Sequence, residues 1–147
     1  MKVGLTFVGL DELLKACEDC AAPGELNAVN RRIVKRGADV LHDAMKERVP
    51  KSGNNAKSGK SGCRPGGHAK ENIPIKPGKS KGSEVSAEVG WKLSDNSEYF
   101  YMKFVNWGTT KMTAREFVQS ACAAVEGEIT DIARQEYEAF LAAKIGR

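Results

Sequence analysis

The sequence predicts an α+β fold: a small antiparallel sheet packed against two long amphipathic helices, with a long basic loop. Three observations predict it. Apolar residues recur at helical spacing over two long stretches, near 26–45 and 113–145. Alternating apolar residues mark short strands between those stretches. A glycine-, proline- and lysine-rich segment, Lys51 to Gly82, separates the first helix from the strands.

At 147 residues, with 41% hydrophobic and 29% charged side chains, the chain is expected to form one domain over residues 1–147 with a core of its own. No apolar run approaches the ~20 residues of a membrane span. The start, MKVGLTFVGL, is too short and too soon polar for a secretory signal, so folding is expected in a cytoplasm with the four cysteines as thiols.

Val3, Leu5 and Phe7 alternate with Lys2, Gly4 and Thr6 and predict an opening strand. Asp11 to Cys20 predicts a short helix with Leu13, Leu14 and Cys17 on one side, and Ala21 to Gly24 a break. Leu26, Val29, Ile33, Gly37, Val40, Leu41, Ala44 and Met45 form the buried stripe of the first long helix. Arg31, Arg32, Lys35, Arg36 and Asp39 lie mostly on the opposite side. Gly37 on that stripe predicts close helix packing. Pro50 ends the helix and biases Val49 away from it.

Residues 51–82 hold seven of the 15 glycines, three of the five prolines, and seven lysines and one arginine against Glu71 alone. The segment therefore carries +7, leaving the rest of a +4 chain at −3. It predicts a flexible basic arm that meets nucleic acid or an acidic partner, or a solvated loop. Ile73 and Ile75 around Pro74 allow an edge strand at most. Val85, Ala87, Val89 and Trp91 predict a half-exposed strand.

Tyr99 to Trp107 is apolar on both period-2 faces and predicts a covered central strand, in a hairpin with 85–91. Gly108 stops it. Thr113 and Glu116 fit a capping box, predicting a helix from Thr113 to about Ile145. Its stripe is Val118, Cys122, Val125, Ile129, Ile132, Phe140, Leu141 and Ile145, with Gly127 a place for a kink or close approach.

Catalytic and cofactor patterns fail on inspection. Gly53 to Ser61 resembles a phosphate loop but has five residues between its glycines instead of four, no preceding strand and no following helix. Cys17 and Cys20 form a CxxC on a helix, which with Cys63 and His68 makes a poor zinc set, and no thioredoxin-like context surrounds it. His42 and His68 are the only histidines and no triad or carboxylate pair can be placed. No catalytic centre, cofactor or metal is predicted. Tyr99, Phe100, Tyr101, Phe104 and Trp107 read as core before they read as a base-stacking platform.

The order of parts resembles the gene-ten-like neck and minor-tail family of lambdoid long-tailed bacteriophages. Arg48-Val-Pro50-Lys-Ser52-Gly53 resembles that family's Pro-x-(Thr/Ser)-Gly, and Gly67-His-Ala-Lys-Glu-Asn-Ile73 its Gly-x-Leu-x-x-Ser-Ile. Val105-Asn-Trp-Gly108-Thr109 followed by Met112-Thr-Ala114-Arg-Glu-Phe117 resembles its Glu-(Phe/Tyr)-Gly-Thr…Ala-x-Pro-Phe. Asn106 stands where the family usually has Glu, and Glu116 where it usually has Pro. The resemblance implies a structural virion protein for head–tail joining or tail completion, forming a homo-oligomeric ring around the DNA channel. Its partners would be itself, neighbouring neck and tail proteins, and DNA passing through. Lys51, Lys57, Lys60, Arg64, Lys79 and Lys81 are then the residues to face DNA or an acidic neighbouring ring. The alternative is a small nucleic-acid-binding protein that uses the same basic loop.

Overall fold

The computed structural model describes residues 10–51, 69–81, 84–92, 94, 97 and 99–146. The predicted strand at Val3–Phe7 lies outside them, as do Gly53, Lys57, Lys60, Cys63, Arg64 and His68.

Four helices and one hairpin make up the described chain: α1 (Asp11–Cys20), α2 (Glu25–Arg48), β1 (Ile75–Pro77), β2 (Ala87–Val89), α3 (Met102–Trp107) and α4 (Phe117–Ile145). A 3-10 turn, Ala69–Glu71, precedes β1. The fold is α+β, as the sequence predicts, with a two-stranded antiparallel sheet.

The frame is α2 against α4. They run antiparallel, and side chains tie them together along their length. Lys144 pairs with Glu25, the Tyr137 hydroxyl donates to Asn30 Oδ1 at 2.7 Å, and Arg48 Nε donates to Ser120 Oγ at 3.3 Å. Gly37 lets the helices approach: a Cβ there would lie 3.3 Å from Ile129 Cγ2. The predicted close packing at Gly37 is therefore present. Pro50 follows the end of α2, where Val49 is extended (φ −62°, ψ 123°). At the other end Gly24 takes φ 85°, and the Glu25 carboxylate accepts from the Ala22 amide at 2.9 Å.

Two apolar clusters share this frame. One, towards the C-terminal end of α2, joins Leu41, Met45, Val49, Ile73, Trp91, Met102, Phe117 and Val125. The other, at the opposite end, joins Leu10, Cys17, Leu26, Val29, Ile33, Ala133 and Tyr137. The sequence-derived stripes match these faces, except that Ile145 is exposed.

Four expectations are corrected. Tyr99–Trp107 is not a strand: turns through Tyr101 lead into α3, with the Gly108 amide bonded to the Phe104 carbonyl at 2.7 Å. The hairpin joins β1 and β2 instead, pairing Ile75 with Val89, Lys76 with Glu88 and Pro77 with Ala87. A short apolar run fits either period, and burial of Met102 and Asn106 four residues apart satisfies the helical one. α4 begins at Phe117, not Thr113, and no side chain from 113–116 caps it. Gly127 faces solvent with nothing near its Cβ direction, and α4 runs unbroken through it.

Candidate assembly surface

The α3–α4 joint is held by side-chain and backbone hydrogen bonds from Asn106 and by a glycine turn. Asn106 is 1% exposed, and its Oδ1 accepts from the Val118 amide at 3.1 Å. Its carbonyl also accepts from the Glu116 amide at 3.0 Å. Asn106 thus performs, from the preceding helix, the capping expected of Thr113, whose side chain is exposed. Asn is a preferred capping type, but the sequence signal for a cap is local, and this one acts across 12 residues.

Gly108 makes the joint possible. Its φ is 77°, and a Cβ would sit 2.7 Å from the Ala114 amide nitrogen and 2.9 Å from the Met112 carbonyl oxygen. Thr109 and Met112 form a tight antiparallel bridge, and Thr109 Oγ1 accepts from the Lys111 amide at 3.2 Å. Glu116 holds φ 46°, uncommon for a side chain with a Cβ. Phe117 is buried, its ring edge-on to Trp91 with centroids 6.4 Å apart. Trp107 is only half-buried; Trp91 is the tryptophan of the core.

Beside the joint the aromatics divide. Tyr99 and Tyr101 pack on the core cluster. Phe104 is 43% exposed, with Phe100 edge-on to it at 6.4 Å and Lys103 Nζ 5.4 Å from its ring centroid. Met112, on the tight turn, is also exposed. The expectation of core burial therefore holds for part of the run only.

The basic segment meets the body on both sides of residues 52–68. Val49 and Ala69 are both buried in the same cluster, and Lys46 pairs with Glu71 at 3.0 Å. The hydrogen bond and charge of Lys46 hold the Glu71 carboxyl below its ordinary pKa. Ile73 is buried as well, so residues 69–81 belong to the folded body, as turn and strand. Lys51 is exposed after α2, and Lys79 and Lys81 are exposed on the hairpin past β1. The structure therefore puts Lys79 and Lys81 on one hairpin, with Lys51 at the end of a helix.

Cys17 is buried, and burial, then the nearby Cys20 and Glu18, push its thiol pKa up, the reverse of what a reactive thiol needs. Its Sγ lies 3.6 Å from the Tyr137 carbonyl oxygen, in the position of a donor. Among the described residues no group of His, Cys, Asp and Glu is arranged to hold a metal ion. No helix among them is long and apolar enough to cross a membrane.

A family model described as "Bacteriophage HK97-gp10, putative tail-component" matches residues 11–108. The chain belongs to this HK97-gp10-like family of phage tail components. The match begins with α1 and ends at Gly108, so it takes in α1, α2, the hairpin and α3. No curated protein and no solved structure matches the chain. Membership makes the protein a structural component of a phage tail, with other tail proteins as its neighbours and the virion as its place.

Proposed function

We propose that this tail component is a ring-forming subunit of the phage neck, acting in head–tail joining or tail completion around the channel through which DNA passes. The observation that carries the reading is the family match over 11–108, taken together with the motifs at Pro50, Gly108 and Thr109 quoted above. The fold supplies suitable parts. The α2–α4 frame is a stiff body, ~44 Å along α4 at the usual helical rise. A two-stranded sheet leaves strand edges that neighbouring chains can extend, and Ile75 on β1 is exposed. Phe104 and Met112 add apolar surface near the joint.

Lys51, Lys79 and Lys81 face solvent, which suits contact with DNA or with an acidic neighbouring ring. The same exposure favours the rival reading, a nucleic-acid-binding protein acting alone. The two part on the behaviour of the free chain. Purified virions should contain the protein at the neck by immunogold labelling, and the free monomer should bind duplex DNA weakly. Virions that lack the protein, with a free monomer whose DNA affinity falls steeply with salt, would favour the rival.

A further inference from the structure

Two outward faces of this chain carry opposite charge, and neither neutralises the other. On α1, Asp11, Glu12, Glu18 and Asp19 are all exposed, with Lys15 the helix's one cation. The opposite side of α1 is spent on the core through Cys17, Leu13 and Leu14. On α2, Arg31 and Lys35 lie on the side away from Val29, Ile33 and Gly37, and Arg32 and Arg36 flank that stripe. Glu136 of α4 reaches two of them, Arg32 at 3.1 Å and Arg36 at 2.8 Å. Arg31 and Lys35 are exposed and form no ion pair among the described residues, and Asp39, one turn on, forms none with either. The four α1 carboxylates are likewise unpaired among the described residues. Four cations against two carboxylates, Glu136 and Asp39, leave a net positive strip in which Arg31 and Lys35 have no ion pair among the described residues.

We infer that the basic face of α2, centred on Arg31 and Lys35, docks the acidic outer face of α1 from a second copy of this chain. The chain itself supplies the complement: α1 is a helix of the right sign, ~15 Å long by its rise, and its acids sit in two rows, Asp11 with Glu18 and Glu12 with Asp19. Opposite potentials across an interface steer encounter and fix register. The two patches differ, so the contact is heterologous: each copy offers a fresh acidic face to the next, and the chain of contacts closes into a ring if its rotation closes. The inference deepens the ring reading above and rests on it.

The test uses the full chain and two charge-reversal variants, R31E/K35E and E18K/D19K, all at exposed positions. Light scattering coupled to size exclusion at low and high salt reads the association, and circular dichroism checks the fold. Wild type should associate at low salt and dissociate as salt rises through the range where the screening length falls below ~10 Å. Each variant alone should be at least tenfold weaker. Mixing the two should restore a dimer, because the untouched α1 of the first meets the untouched α2 of the second. Three results overturn the inference: a wild type that stays monomeric at low salt, variants that associate like wild type, or no gain on mixing. A fourth, lost binding of a short DNA duplex in R31E/K35E with association unchanged, assigns the face to DNA instead. Variants that associate normally leave the neck reading standing, whereas virions lacking the protein overturn that reading and leave the interface measurable in solution.

Discussion

Gly108, Asn106 and Glu116 set the geometry of the joint, each for a different physical reason. At Gly108 a methyl group would meet backbone, which cannot move aside, and would also hold φ 77° against its preference. Gly108→Ala should therefore cost more than about 1 kcal/mol by urea denaturation. Asn106→Ala removes the cap of α4 and should cost about 1–2 kcal/mol. Asn106 Nδ2 has no hydrogen-bond partner among the described residues. Asn106→Asp keeps the accepting oxygen, removes that unpaired donor and places a negative group at the helix start, so it should lose less than the alanine variant. Glu116 shows where sequence reasoning reached its limit. Thr-x-x-Glu before an apolar run is a sound local signal, yet φ 46° at Glu116 puts the helix start after it. Proline fixes φ near −65° and has no amide to give the Asn106 carbonyl. Glu116→Pro should accordingly destabilise this chain, while Glu116→Gly should leave its melting temperature unchanged or raised.

At the scale of elements, the long helices were legible because their apolar spacing persists for many turns, and Gly37 was legible because a glycine on a buried stripe has few other uses. Tyr99 to Trp107 was not legible. Nine residues that are apolar on both faces satisfy a strand and a short helix alike, and only the tertiary position of Met102 and Asn106 decides. The error moves the core tryptophan. Trp91 packs in the main cluster against Phe117, so Trp91→Ala should cost about 3–5 kcal/mol, and the half-buried Trp107→Ala less than half as much, by the same denaturation measurement. The α2–α4 seam has a pH signature. Burial raises the Glu136 pKa, but hydrogen bonds from Arg36 and Arg32 outweigh it and leave the carboxyl below the usual value of 4.5. A depressed carboxylate pKa stabilises fully above that ordinary value and stops doing so as pH falls through the folded one. Both arginines are about half exposed, so the pair is worth no more than about 1 kcal/mol. Glu136→Gln should show that deficit at neutral pH and match wild type once wild-type Glu136 is itself protonated in acid.

For the molecule as a whole, composition told most about charge and least about where the arm ends. The sequence grouped residues 51–82 by their glycines, prolines and lysines, but Ala69 and Ile73 are small apolar anchors hidden in that composition, and they bring the chain back to the core well before Gly78. Two isolated apolar residues have no period, so nothing local announces them. Their burial sharpens what a deletion should do. Lys46 pairs with Glu71 at 3.0 Å, and Val49 and Ala69 share one cluster, so the ends of the intervening segment are held close by the body itself. Removing residues 54–66 leaves four residues between Lys51 and Ala69, a reach of up to ~17 Å when extended. Shortening a segment whose ends are already held together also lowers the entropy cost of closing it slightly, by about 0.6 kcal/mol for each halving. The deletion variant should keep the circular dichroism spectrum and unfolding midpoint of wild type. Three of the six basic residues assigned to partner contact, Lys57, Lys60 and Arg64, go with the deleted segment. Complementation of a phage lacking the gene should then fall while the protein remains folded, whereas an unfolded variant would mean that residues 54–66 belong to the core, and full complementation would remove the segment from assembly.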